Sequence, residues 1–315
     1  MSRLRGELLD WLEAGRVVRG RELEALRVAG MVPTPRDWRA FLGQLSLWLG
    51  TVALAASVIF FFAFNWDDLD RFAKFGLVEA AIVAGLVACF WTDLDGAAGK
   101  AVLLLLSLLV GALLALAGQT YQTGADSYEL FAWWALLILP WVLVGRFSPL
   151  WLVWLGLSNL GVYFYYARGW NGELLMWALF ALNALALAAW EAAHRAGIAW
   201  LRDSWPPRLA AVAAGSMVTA LMIWATLGGG TGTGRLALIV YPAWLAACYF
   251  WYRHIRPDLF MLAGGLLSLI VATAVFLAEK LSADGGALLL TGLVVIGMSA
   301  GGAMWLKSLA REQQA

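Results

Sequence analysis

The sequence predicts an all-α protein, a polytopic transmembrane helix bundle of about ten spans, and three observations predict it. Hydrophobic residues make up 62% of the 315-residue chain and charged residues only 14%, where a soluble domain carries about 45–50% and about 25%. From residue 41 onward the apolar residues gather in long runs, each about the 17–25 residues that a helix rising about 1.5 Å per residue needs to cross about 30 Å of hydrocarbon. These runs lack the strict apolar/polar alternation of a barrel strand, the other structure that satisfies its own backbone in lipid. Nineteen Trp and 33 Gly agree, since aromatics belt the membrane interfaces and Gly is frequent in spanning helices.

The first element, residues 1–40, differs from the rest. Leu4, Leu8, Leu9, Trp11 and Leu12 recur at helical spacing, and Leu23, Leu26 and Val28 mark a second short helix after the Gly15 to Gly20 break. Together they predict a small cytoplasmic helical hairpin. Thr34-Pro35 then supplies an N-cap and a first-turn Pro for a helix beginning near Arg36. With eight Arg against six Asp/Glu the hairpin is no polybasic tail, so it predicts no nucleic-acid partner. It would lie on the membrane surface, dock on cytoplasmic loops, or recruit a cytoplasmic protein through residues 1–35. No apolar h-region of a cleavable signal peptide is visible in these charged forty residues.

The spans follow at approximately 41–64, 72–92, 100–117, 129–145, 148–167, 173–193, 208–227, 234–252, 258–278 and 285–306, leaving 307–315 as a short tail. Pro140 in the fourth and Pro242 in the eighth predict kinks and a freed carbonyl each. No internal repeat is evident beyond generic Leu, Ala and Gly, although ten spans would suit two inverted halves.

Orientation comes from the distribution of Lys and Arg, which the net charge of +1 conceals. With the N-terminus cytoplasmic, the inside segments hold Arg3, Arg5, Arg16, Arg19, Arg21, Arg27, Arg36, Arg39, Lys100, Arg146, Arg195, Arg202, Arg208, Arg253, Arg256, Lys307 and Arg311. The outside loops hold only Arg71, Arg168, Arg235 and Lys280, and Lys74 falls inside the second span. Seventeen of the 22 basic residues are thus inside, and an even number of spans returns the C-terminus to the cytoplasm.

This topology puts two polar loops on one outer face, Asn65-Trp66-Asp67-Asp68-Leu69-Asp70-Arg71 after the first span and Gly118-Gln119-Thr120-Tyr121-Gln122-Thr123-Gly124-Ala125-Asp126 after the third. The second span adds Lys74, one turn in and able to snorkel or to pair with Asp67, Asp68 or Asp70, and Glu79, about 12 Å along the helix from Arg71. A carboxylate at that depth must be paired, hydrated or protonated. Five residues apart, Lys74 and Glu79 lie about 140° apart around the helix and do not share a face. Asn65, Trp66, Asp67, Asp68, Lys74, Glu79, Gln119, Tyr121, Gln122 and Asp126 are therefore the candidate lining of an outward pocket for a solute or ion, with Glu79 as the coupled group. The competing reading makes the loops hydrogen-bonded turns, Trp66 and Tyr121 interface anchors, and Glu79 a protonated carboxyl bonded to a neighbouring helix.

Other polar residues point to no chemistry. Gln44, Asn159 and Asn183 are single intramembrane amides for which inter-helix hydrogen bonds suffice. Glu191 and His194 sit at the cytoplasmic end of the sixth span, where solvation is the default, and Arg253-His254-Ile255-Arg256 reads as an anionic-lipid contact. Cys89 and Cys248 fall in apolar runs as small hydrophobes, and two His on the cytoplasmic side predict no zinc or haem site. The run from Gly228 to Gly234 lacks the Lys-Ser/Thr of a phosphate loop and reads as a flexible connection. No cofactor and no metal are expected.

Trp11-Leu12-Glu13-Ala14-Gly15-Arg16-Val17, Leu23-Glu24-Ala25-Leu26, Asn65-Trp66, Lys74, and above all Gln119-Thr120-Tyr121-Gln122-Thr123-Gly124-Ala125-Asp126 with Leu130-Phe131 and Trp134-Ala135-Leu136-Leu137 carry a resemblance. Over roughly residues 1–145 the chain resembles the large group of predicted bacterial multi-pass membrane proteins catalogued as a domain of unknown function. The resemblance implies a bacterial inner-membrane protein with a helical cytoplasmic N-terminus, and it supplies no catalytic residue. Three functions stay open at this point: a transporter or permease for a small solute; a membrane-embedded enzyme acting on a lipid-linked envelope substrate through Asp67, Asp68 or Asp126; and a scaffold working through residues 1–35.

Overall fold

The computed structural model describes the chain except residues 1–10, 12, 13, 15, 17–19, 29–31, 65–68, 122, 123, 125, 170, 202, 229–231, 282–284 and 313–315. The described residues are all-helical, without strands. A short helix α1 (Glu22–Val28) precedes α2 (Pro35–Phe64), α3 (Arg71–Trp91), α4 (Ala97–Tyr121), α5 (Ser127–Gly145), α6 (Ser148–Ala167), α7 (Gly172–Arg195), α8 (Trp205–Thr226), α9 (Ala237–Phe250), α10 (Leu259–Lys280) and α11 (Gly285–Glu312). The second short helix expected from Leu23, Leu26 and Val28 is α1; the first arm of the hairpin lies mostly outside the described residues.

Helix starts follow local chemistry. Thr34 and Asp37 cap α2 reciprocally: the Asp37 amide donates to Thr34 Oγ1 (3.3 Å), and the Thr34 amide donates to Asp37 Oδ2 (2.7 Å). Asp70 caps α3 by accepting from the Ala73 amide (2.7 Å). Asp258 caps α10 through the amides of Phe260 (2.9 Å) and Met261 (3.4 Å). Each cap satisfies orphan donors that lipid could not.

Nine described segments are long and apolar enough to cross a bilayer. The tenth expected span, α6, is a 20-residue helix whose Trp151, Trp154, Tyr163, Tyr165 and Tyr166 dilute its hydropathy. Its two ends nevertheless meet opposite ends of its neighbours. At its start Ser148 Oγ donates to the Trp200 carbonyl (3.5 Å), beyond the end of α7. Just past its other end, Arg168 pairs with Asp126 (2.6 Å), the residue preceding α5. Between them, Asn159 of α6 and Asn183 of α7 exchange amide hydrogen bonds (2.6 and 3.3 Å), each also donating to the carbonyl four residues back in its own helix (2.8 Å). Two of the three expected inter-helix amides, Asn159 and Asn183, are thus partners of each other, while Gln44 of α2 is exposed.

The chain divides into two compact units, residues 1–113 and 114–315. In the first, α4 buries Leu103, Leu106 and Leu109, and Gly85 of α3 lies against Leu106 of α4. In the second, α7 packs most extensively on α8 and α5 on α6, while α10 packs on both α8 and α11. Leu187, Ala210, Tyr252, Met261, Leu262 and Leu309 form one core cluster and Val218, Tyr241 and Ala272 another.

Candidate functional site

The ten candidate pocket residues divide. Asn65, Trp66, Asp67, Asp68 and Gln122 lie outside the described residues. Lys74 and Glu79 belong to the first unit; Gln119, Tyr121 and Asp126 belong to the second. Helical arithmetic accounts for the first pair. Lys74 shares the buried face of α3 with Val78 and Gly85, positions that recur within about 40° at 100° per residue. Glu79, about 140° away, is exposed. Lys74 is 7% exposed. Gln119 and Tyr121 stand on the last turn of α4, which continues past residue 117, and not in a loop. Asp126 is committed to Arg168, whose guanidinium also lies over the Tyr128 ring (5.5 Å).

Two polar centres that the sequence did not single out lie together in the second unit. The first surrounds Glu191 of α7, which is 4% exposed instead of solvated. Its Oε1 accepts from Arg256 (2.7 Å) and from the Tyr252 hydroxyl (3.1 Å), and its Oε2 from the Trp251 indole (3.4 Å). All three donors lie at the end of α9, which widens into a π-helical turn, Trp251–Ile255. The Arg256 amide donates back to the Trp251 carbonyl five residues earlier (2.9 Å), and this wider turn sends Trp251, Tyr252 and Arg256 toward one carboxylate. Such turns recur at functional sites. Nearby, Arg208 grips Asp258 with two parallel hydrogen bonds (3.0 and 3.1 Å), and Arg253 pairs with Glu312 (2.6 Å). The expected lipid-facing basic loop therefore uses both of its arginines on protein carboxylates, while His254 stays exposed.

The second centre is a chain of hydroxyls. Thr219 of α8 donates to the Gly215 carbonyl (2.6 Å) and lies 2.7 Å from Ser268 Oγ of α10, which in turn lies 2.9 Å from the Tyr241 hydroxyl of α9. Thr219 and Ser268 face a cavity of about 420 Å³ between the three helices, a typical size for a small-molecule site. Gly215, Gly264 and Gly265 make the room; Trp244, Cys248 and Tyr252 line the wall; no charged side chain lines it. Val212, Leu267 and Val271 stand exposed at the rim, so the opening faces the bilayer. Tyr252 joins the two centres, lining the cavity while its hydroxyl holds Glu191.

Among the described residues no group of three or more His, Cys, Asp or Glu is placed to hold a metal ion, and Cys89 and Cys248 are both free. Neither polar centre was singled out in the sequence, because the donors to Glu191 come from 60 to 65 residues away and no local spacing brings them together.

Fold and site together define a polytopic helical membrane protein. Residues 9–151 match the family model described as a predicted membrane protein (DUF2157), a stretch just short of half the chain that contains the Gln119–Asp126 run on which the resemblance rested. No curated protein and no solved structure matches the chain.

Proposed function

We propose that the chain is a bacterial inner-membrane permease for a small amphiphile with an uncharged, hydrogen-bonding head, with both termini cytoplasmic and the path through the cavity between α8, α9 and α10. The observation that carries this reading is the Thr219–Ser268–Tyr241 hydroxyl chain bordering a bilayer-open cavity. A rim of Val212, Leu267 and Val271 admits solutes that have already partitioned into lipid. The hydroxyls then replace the water the head has lost, and without a charged lining the cavity would hold an ionised head at high cost.

The test is transbilayer movement of a fluorescent alkyl glucoside in phospholipid vesicles holding the purified chain, followed by dithionite quenching. The reading requires protein-dependent movement that slows about thirtyfold in the Thr219→Val/Ser268→Ala variant, two hydrogen bonds at about 1 kcal/mol each being removed. Movement no faster than in empty vesicles, or unaffected by the double substitution, refutes it.

A further inference from the structure

We infer that the α6–α7 end of the second unit holds an anionic phospholipid, one acyl chain in a tryptophan-walled cavity and the phosphate on Arg146, at a site separate from the hydroxyl-lined cavity. The cavity has a volume of about 520 Å³, and Trp151 and Trp154 of α6, Trp190 of α7 and Trp200 of the following turn form its walls. The rings brace one another: Trp151 stacks on Trp200 (6.0 Å between centroids) and Trp190 meets Trp200 edge-on (6.4 Å). Leu185 at 69% exposure and Ile198 at 38% stand at its mouth, so it opens to lipid.

Two further observations specify the occupant. The Trp190 indole donates to the Leu201 carbonyl (3.3 Å), but the Trp151 indole nitrogen is buried without an acceptor among the described residues. An unmet buried donor is costly, and a glycerol-ester carbonyl at interfacial depth, where Trp belts sit, would satisfy it. Arg146, next to Phe147 and the Ser148 hydroxyl that bonds Trp200, is exposed and forms no ion pair among the described residues. It is also the only described non-glycine residue with positive φ, at 43°. Glycine would take that conformation at the end of α5 without strain, so the arginine there keeps a cation at a backbone cost. Basic residues at the membrane boundary between spanning helices are a recurrent way to hold anionic headgroups.

Native mass spectrometry of the full chain with phosphatidylglycerol and phosphatidylethanolamine of identical acyl chains tests this. The wild type should retain phosphatidylglycerol preferentially. Arg146→Gly should cut that retention about fivefold without lowering the thermal unfolding temperature, because the glycine relieves strain. Trp151→Phe, which keeps the ring and removes the donor, should weaken both lipids by a similar factor. Equal retention of the two lipids by the wild type, an Arg146→Gly chain that binds phosphatidylglycerol as before, or an unaltered Trp151→Phe chain each overturns the assignment.

Discussion

Glu191 takes three hydrogen bonds from the π-helical turn and the Arg256 that follows it and is shielded from solvent, so the two sides of its ion pair should respond unequally to substitution. Arg256→Ala strands a buried carboxylate and is expected to cost about 3–5 kcal/mol, read as a lowered unfolding temperature in detergent. Glu191→Gln keeps an acceptor for Tyr252 and should cost clearly less, so equal losses would mean that the pair does not anchor α9 to α7. The sequence showed a Glu at a helix end, where solvation is the ordinary state. It could not show that Trp251, Tyr252 and Arg256 arrive there, because that depends on a backbone widening without a sequence signature as plain as a proline. Lys74 and Glu79 went the other way, since their 140° separation was readable from spacing alone, although which face would be buried was not.

Helix existence and type were legible because apolar runs of spanning length leave the backbone few alternatives. Caps at Thr34 and Asp70 depend on side chains within three residues and follow from local chemistry. Packing glycines are less visible, because their meaning depends on what approaches them. Gly99, in the first turn of α4, shows the consequence: a Cβ there would overlap the Asp93 carbonyl oxygen and come within 2.7 Å of the Leu94 Cα. Backbone cannot rotate away as a side chain can. Gly99→Ala should therefore cost about 1–3 kcal/mol, whereas Gly118→Ala, with open space around the added carbon, should leave unfolding nearly unchanged. Thermal denaturation of the two variants side by side makes the comparison, and equal stability would show that the turn from α3 into α4 is free to rearrange.

For the whole molecule the critical element is α6, because it sets the parity of the chain. Hydropathy by itself selects nine spans and omits it, which would place the two termini on opposite sides. The contacts of its two ends argue that it crosses, since Ser148 bonds the turn after α7 while Arg168 pairs at the start of α5. Charge argues the same way. If α6 failed to cross, Arg195, Arg208, Arg253, Arg256, Lys307 and Arg311 would all move to the side opposite Arg3 to Arg39, against the positive-inside rule. Its aromatic composition is what a crossing helix shows when its neighbours, not lipid, cover much of its surface: Phe131 of α5 stacks on its Phe164 (5.3 Å), and Asn159 is held by α7. Reporter fusions decide the matter in cells. Green fluorescent protein fused after Ala315 should fluoresce, and alkaline phosphatase fused after Gly169 should be active. A dark C-terminal fusion with an active phosphatase fused after Asp203 would mean that α6 lies in one leaflet, and the chain would then cross nine times.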